Sequence, residues 1–164
     1  MMMTERGISA KIEGPVYIRT ARLATPVYDP RPFTVGKGDV IRDGSDCAIF
    51  TCGIMLEHAI EAADILASRG IHAALISFHT LKPFDEELAR IYTAKCRKVF
   101  TVEEHSVIGG LGDATASAII GHGVEKFMKI GINDVFGQSG KPLDLLREYE
   151  LTGPQIAEKI LNNL

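Results

Sequence analysis

Ala48-Ile49-Phe50-Thr51, halted at Cys52-Gly53, then the stretch Ile54 to Arg69 closed by Gly70, then the apolar run Ile71 to Phe78: these residues decide the fold. The first run predicts a short strand. In the second, Glu57, Glu61, Asp64 and Ser68 step by four, three and four and trace one solvent stripe, while Leu56, Ala59, Ile60, Ala63 and Leu66 fill the opposite face of a helix. Gly70 stands where a left-handed residue closes a helix. The third run has the nearly unbroken apolar character of a strand buried on both faces. Strand, helix and strand at this spacing make a βαβ unit.

The pattern repeats toward the C-terminus. A helix is expected after Pro83, with Asp85 as its N-cap, running to about Cys96. Lys98 to Glu103 predicts a third strand, Leu111 to Gly121 a small-residue helix, and Val124 to Ile132 a fourth strand. Thr152 and Gln155 have capping-box spacing at the start of a last helix. The expected architecture is therefore α/β: a mostly parallel three-layer α/β/α sheet with an extended N-terminal arm.

That arm reads differently from the rest. Four prolines fall between Pro15 and Pro32, a density that argues for extended chain. Gly14 to Arg19 suggests a short strand after a turn, and Thr34 to Asp46, with three glycines, suggests a hairpin or a loose arm. The organisation expected is an arm over residues 1–45 and a regular domain over 46–164.

Composition narrows the function classes. The 164 residues are 46% apolar and 24% charged, which fits one folded domain. Eighteen basic against 21 acidic residues give a net charge of −3, so nothing favours a nucleic-acid or anionic-membrane partner. No apolar run reaches the roughly 20 residues of a membrane span, and the first residues lack a signal-peptide stretch. Cys47, Cys52 and Cys96 form no CxxC pair and read as reduced thiols of a cytoplasmic protein. Histidines 58, 72, 79, 105 and 122 show no metal-ligand spacing, so no metal site is expected.

In open α/β sheets, ligands gather beyond the carboxyl ends of the strands. That rule selects Thr51–Gly53, Phe78–Thr80 and, richest of all, Glu103-Glu104-His105-Ser106-Val107-Ile108-Gly109-Gly110-Leu111-Gly112-Asp113. A glycine-rich turn entering a helix can present amides to an anion. Here Asp113 would oppose a phosphate, and the glycines match neither GxGxxG nor a P-loop. Close helix packing, on strands or on a partner chain, accounts for them better, with Ala114, Ala116 and Ala118 just behind. Val107, Ile108, Gly112, Ala114 and Ala116 are the expected interface residues. Glu104 with His105 offers an acid/base pair, set against local hydrogen bonding. Ser106, His105 and Asp113 make a triad on paper but lack a GxSxG elbow. Arg19 and Arg22 could hold a phosphate or a carboxylate, but spacing alone favours a solvated arm.

Five strings occur in one order: Gly14 to Arg22, Thr51-Cys52-Gly53-Ile54-Met55, His79 to Asp85, Val102 to Gly112, and Phe136-Gly137-Gln138-Ser139-Gly140. Together they resemble the C-terminal region of the transketolase family, in the form whose N- and C-terminal sections are separate chains. The resemblance runs from about Gly14 to the end. It implies that residues 14–22 are the closing strand of a pyrimidine-binding domain whose remainder lies elsewhere. It further implies a thiamine-diphosphate-dependent transferase in which the glutamate that activates the cofactor also lies elsewhere. Thiamine diphosphate and Mg²⁺ then belong to the full assembly, none being bound by this chain alone, and no catalytic residue is assigned here.

By the same resemblance, Arg22 falls on an arginine that contacts the phosphate of a sugar substrate. Arg19 matches one in the related deoxyxylulose-phosphate synthases. The implied partners are the N-terminal section of the same enzyme, further copies of this chain, and a sugar phosphate. Alternatives are the similar domain of a 2-oxoacid dehydrogenase β subunit or of a deoxyxylulose-phosphate synthase, and a non-catalytic dimerisation or binding module.

Overall fold

The computed structural model describes residue 7, residues 10–20, residue 26 and residues 32–164. The strands are β1 (Asp39–Arg42), β2 (Cys47–Thr51), β3 (Ala73–Ser77), β4 (Lys98–Ser106) and β5 (Lys126–Ile132). The helices are α1 (Met55–Ser68), α2 (Glu86–Cys96), α3 (Leu111–Ile119), α4 (Pro142–Glu148) and α5 (Gly153–Leu161).

The sheet order is β1-β3-β2-β4-β5, with β1 antiparallel to β3 and every other pair parallel. Every residue of β2 and β3 is buried, as their apolar runs require. Side-chain alternation divides the core in two. Cys47, Ile49, Leu75, Phe100 and Val102 pack with α1 and α5 on one face. Ala48, Phe50, Ile76 and Val99 pack with α2 and α3 on the other. The three-layer α/β/α architecture follows.

Helix ends match the local chemistry. At the end of α1, Gly70 takes φ +79°, its amide donates to Ala67 O at 3.0 Å, and the Ile71 amide donates to Leu66 O at 3.0 Å. That is a Schellman closure. Asp85 caps α2 by accepting from the Leu88 amide at 3.3 Å. Before α5, the Gln155 carboxamide oxygen reaches back to the Thr152 hydroxyl at 2.6 Å and the Thr152 amide at 3.4 Å.

Two expectations are corrected. Within Thr34 to Asp46, the stretch expected as a hairpin or loose arm, Asp39–Arg42 is the edge strand β1. Gly14 to Arg19 is no strand: residues 15–20 are exposed and pair with none of the described strands. Val16, Tyr17 and Ile18 have the composition of a strand, but a strand needs a neighbour to satisfy its backbone, and Tyr17 is 90% exposed. Helix α4 is an element the sequence reading left out.

The connections position the site. From β2 the chain passes through α1 to β3, then returns over β2 through α2 to β4, and continues outward through α3 to β5. The direction of winding therefore reverses between β2 and β4. By the rule for open α/β sheets, the crevice expected for a ligand lies at the carboxyl ends of that pair.

Candidate functional site

Thr51 ends β2 with a buried hydroxyl donating to Val102 O on β4 at 3.1 Å, which fastens the two strands beneath the crevice. Cys52 follows, half-buried. Burial first, and then the nearby Glu103 carboxylate, push its thiol up to about 11, while Arg19 pulls the other way. It is a neutral thiol at neutral pH, not an activated nucleophile. Burial likewise raises Cys47 to about 12 and Cys96 to about 11.

Arg19 reaches the crevice from the arm. Its guanidinium donates to Glu104 O at 3.1 Å and lies 3.7 Å from the Glu104 carboxylate. Both side chains are largely exposed, so the pair contributes little to stability. Arg22 lies outside the described residues.

The glycine-rich turn has an anion at the helix start, and the chain itself supplies it. Glu103 is 1% exposed and its carboxylate accepts from the amides of Leu111 at 2.7 Å and Gly112 at 2.8 Å. These are the first unpaired amides of α3, where the helix dipole also favours a negative charge. A Cβ on Gly110 would lie 1.9 Å from Glu103 Oε2, so only glycine lets the carboxylate in. Gly112 is pressed against Lys129, where a Cβ would come within 2.6 Å of its side chain.

Lys129 ties the same turn from β5. Its ammonium donates to Val107 O at 3.0 Å and pairs with Asp113, whose other oxygen accepts from the Gly109 amide at 2.5 Å. The Lys129 hydrogen bond, and then that amide, hold the Asp113 carboxyl below the ordinary carboxylate range. Sequence reasoning missed both Glu103 and Lys129 as the groups that shape this turn. A lysine inside the otherwise apolar Phe127 to Ile132 was the available signal, since such a residue needs a partner.

The groups weighed as a triad do not meet. His105 Nδ1 donates to Ser106 O at 2.8 Å, the Ser106 hydroxyl accepts from the Ile108 amide at 3.2 Å, and Asp113 is taken by Lys129 and Gly109. Glu104 is turned to Arg19, so it does not pair with His105 either. Of the expected interface residues, Ile108 is 59% exposed, Val107, Ala114 and Ala116 are half-buried, and Gly112 is buried within its own chain.

The described residues do not fit thiamine diphosphate or its Mg²⁺. The amides at the start of α3, which could otherwise meet a phosphate, already hold Glu103. Among the described residues no group of three His, Cys, Asp or Glu could hold a metal ion. Among them, too, no helix is long and apolar enough to cross a membrane.

The family model described as the transketolase C-terminal domain matches residues 36–156. A protein named as a transketolase C-terminal section, from Methanocaldococcus jannaschii, is 41% identical over 161 residues, covering 94% of this chain and 50% of that protein. A 6-deoxy-6-sulfo-D-fructose transketolase subunit from a Clostridium species is 39% identical, covering 88% of this chain and 45% of the subunit. A 1-deoxy-D-xylulose-5-phosphate synthase from Crocosphaera subtropica is 33% identical, covering 90% of this chain and 24% of the synthase. Among solved structures, a split-gene transketolase, described as an inactive beta4 tetramer, superposes with a TM-score of 0.90 at 40% identity, over 98% of this chain and 54% of that one. The chain thus spans about half the length of its section and subunit relatives.

Proposed function

The chain belongs to the transketolase C-terminal domain family, and from that premise we propose that it is the C-terminal section of a thiamine-dependent transketolase. In the full assembly the enzyme moves a two-carbon ketol unit between sugar phosphates. The observation that carries this reading is the pair of relatives named as a transketolase section and a transketolase subunit, matched over most of this chain and about half of themselves. The cofactor and its metal are held by the other sections, so no chemical step is assigned to the residues of this chain.

Its contribution is twofold. The first is subunit contact: the turn carrying exposed Ile108 and the helix carrying Ala114 and Ala116 form part of a face toward another subunit. Lys129, Asp113 and Glu103 hold that turn in one shape, which lowers the ordering cost of docking. Val135 and Phe136, the latter fully exposed, add apolar surface of the kind partners cover. The second is the arm, in which Arg22, with Arg19 three positions earlier in the sequence, meets the substrate phosphate. A planar guanidinium suits that anion because it bonds two of its oxygens at once. The assembly works in the cytoplasm.

A synthase making deoxyxylulose phosphate is the second reading, favoured by the synthase relatives that match 90% of this chain. Mass spectrometry of native material tests the proposal. A co-purifying section carrying the diphosphate-binding part, active in ketol transfer, supports it. Material holding this chain alone, or joined to a synthase, overturns it.

A further inference from the structure

The string His79 to Asp85 lies outside the crevice and none of the roles above uses it. Asp85, 7% exposed, caps α2 through one carboxylate oxygen, which accepts from the Leu88 amide at 3.3 Å. A serine would serve that purpose as well. The second oxygen does something a serine cannot: it accepts from the Gly38 amide at 3.1 Å, across 47 residues of sequence. Lys37 adds its ammonium 3.5 Å from the same carboxylate.

Further contacts surround this bond. The Phe33 ring lies against the His79 ring, with centroids 4.3 Å apart. His79 in turn bonds Thr80 Oγ1 at 2.9 Å and sits 3.9 Å from the Asp39 carboxylate at the start of β1. Gly36 is seated on Pro83, where a Cβ would come within 2.9 Å of the ring, and Gly38 is seated on Leu88 and Phe78, where a Cβ would come within 2.9 and 3.0 Å of their side chains. Residues 33–38 are thus gripped along their length before the sheet begins.

We infer that the loop from Phe78 to Asp85 is a clasp that fastens the incoming segment Phe33 to Gly38 and so fixes where the arm leaves the domain. Asp85 joins the two, with one oxygen on the helix and one on the segment. The arm that carries Arg19 and Arg22 therefore departs from a held point. The inference goes beyond the enzymatic reading and stands without it, because every contact lies within this chain.

Native-state hydrogen exchange and limited trypsin digestion of the full chain test it. Asp85→Ser keeps a cap for Leu88 but is too short for Gly38. The Gly38 amide should then exchange about tenfold faster, and cleavage between Lys37 and Gly38 should speed up by about the same factor. The α2 amides should stay within about twofold of wild type, because their cap survives. Phe33→Ala, which touches no helix cap, should speed both readouts about threefold, and it decides the matter if Asp85→Ser does not fold. Gly38 exchange unchanged in the folded variants overturns the clasp. So does an α2 that loosens by the same factor as Gly38, since Asp85 would then be a helix cap alone.

Discussion

The carboxylate of Glu103 accepts the amide hydrogen of Gly112 at 2.8 Å, joining the last buried residue of β4 to the first turn of α3. The strand thereby supplies the counter-charge for the helix it leads into, and the turn between them is held from both ends.

Glu103→Ala should cost about 3 kcal/mol of unfolding free energy, since two amides lose a charged acceptor inside the protein. Glu103→Gln, with one acceptor oxygen left, should cost about half as much. Urea unfolding followed by circular dichroism checks both. Gly110→Ala should resemble Glu103→Ala, because its methyl group occupies the carboxylate's place.

Asp113 links stability to pH. Its folded-state carboxyl titrates below the ordinary 3.8, so the ionised form is favoured by folding. The stability it contributes is present above that value and is lost as pH falls through the lower folded value. Asp113→Asn should therefore lower the melting temperature at pH 6 and flatten its dependence on pH below about 4. Equal melting curves for the two proteins from pH 6 down to pH 2 would show that the pair with Lys129 contributes nothing.

Association should run through the turn and α3. Light scattering of the wild type should give a mass above that of the monomer, and Ala116→Arg should reduce it, because the long cation has no room in a close helix contact. A monomeric wild type at high micromolar concentration would remove this face as an interface.

In the assembled enzyme, Arg22→Ala should lower kcat/KM for phosphorylated sugars by roughly one to two powers of ten, the value of a hydrogen bond to a charged group. Unphosphorylated acceptors should change little. If Arg19→Ala gives the phosphate-selective loss and Arg22→Ala does not, the roles belong the other way round. Equal losses on both kinds of substrate would make the arm structural.

The βαβ frame was legible because burial imposes a period: the stripe on α1 and the runs at β2 and β3 leave no other reading. Strand β1 was not, because Asp39-Val40-Ile41-Arg42 is half-buried at an edge and follows a glycine-rich turn. Helix α4 was hidden for a similar reason: it has two turns, and only Leu146 is buried. The crevice could be located from topology rules alone. The occupant of the α3 amides could not, since nothing in the order of residues says that Glu103 folds back onto a helix starting eight positions later. Its neighbours Glu104 and His105 attract attention as catalytic types, whereas the structure engages them with Arg19 and a backbone carbonyl.

The two borders of the sheet carry a further consequence, for behaviour at high concentration. An open strand edge invites pairing with another molecule's backbone, the first step of fibrous aggregation. Among the described residues, one border is β1, whose register breaks between Val40 and Arg42. The other is β5, which carries Lys126 and Lys129 along its length. A broken ladder on one side and lysines on the other both resist the flat, unbroken pairing that such growth needs. Both borders thus disfavour endless growth of the sheet, so crowding should give discrete assemblies rather than fibres.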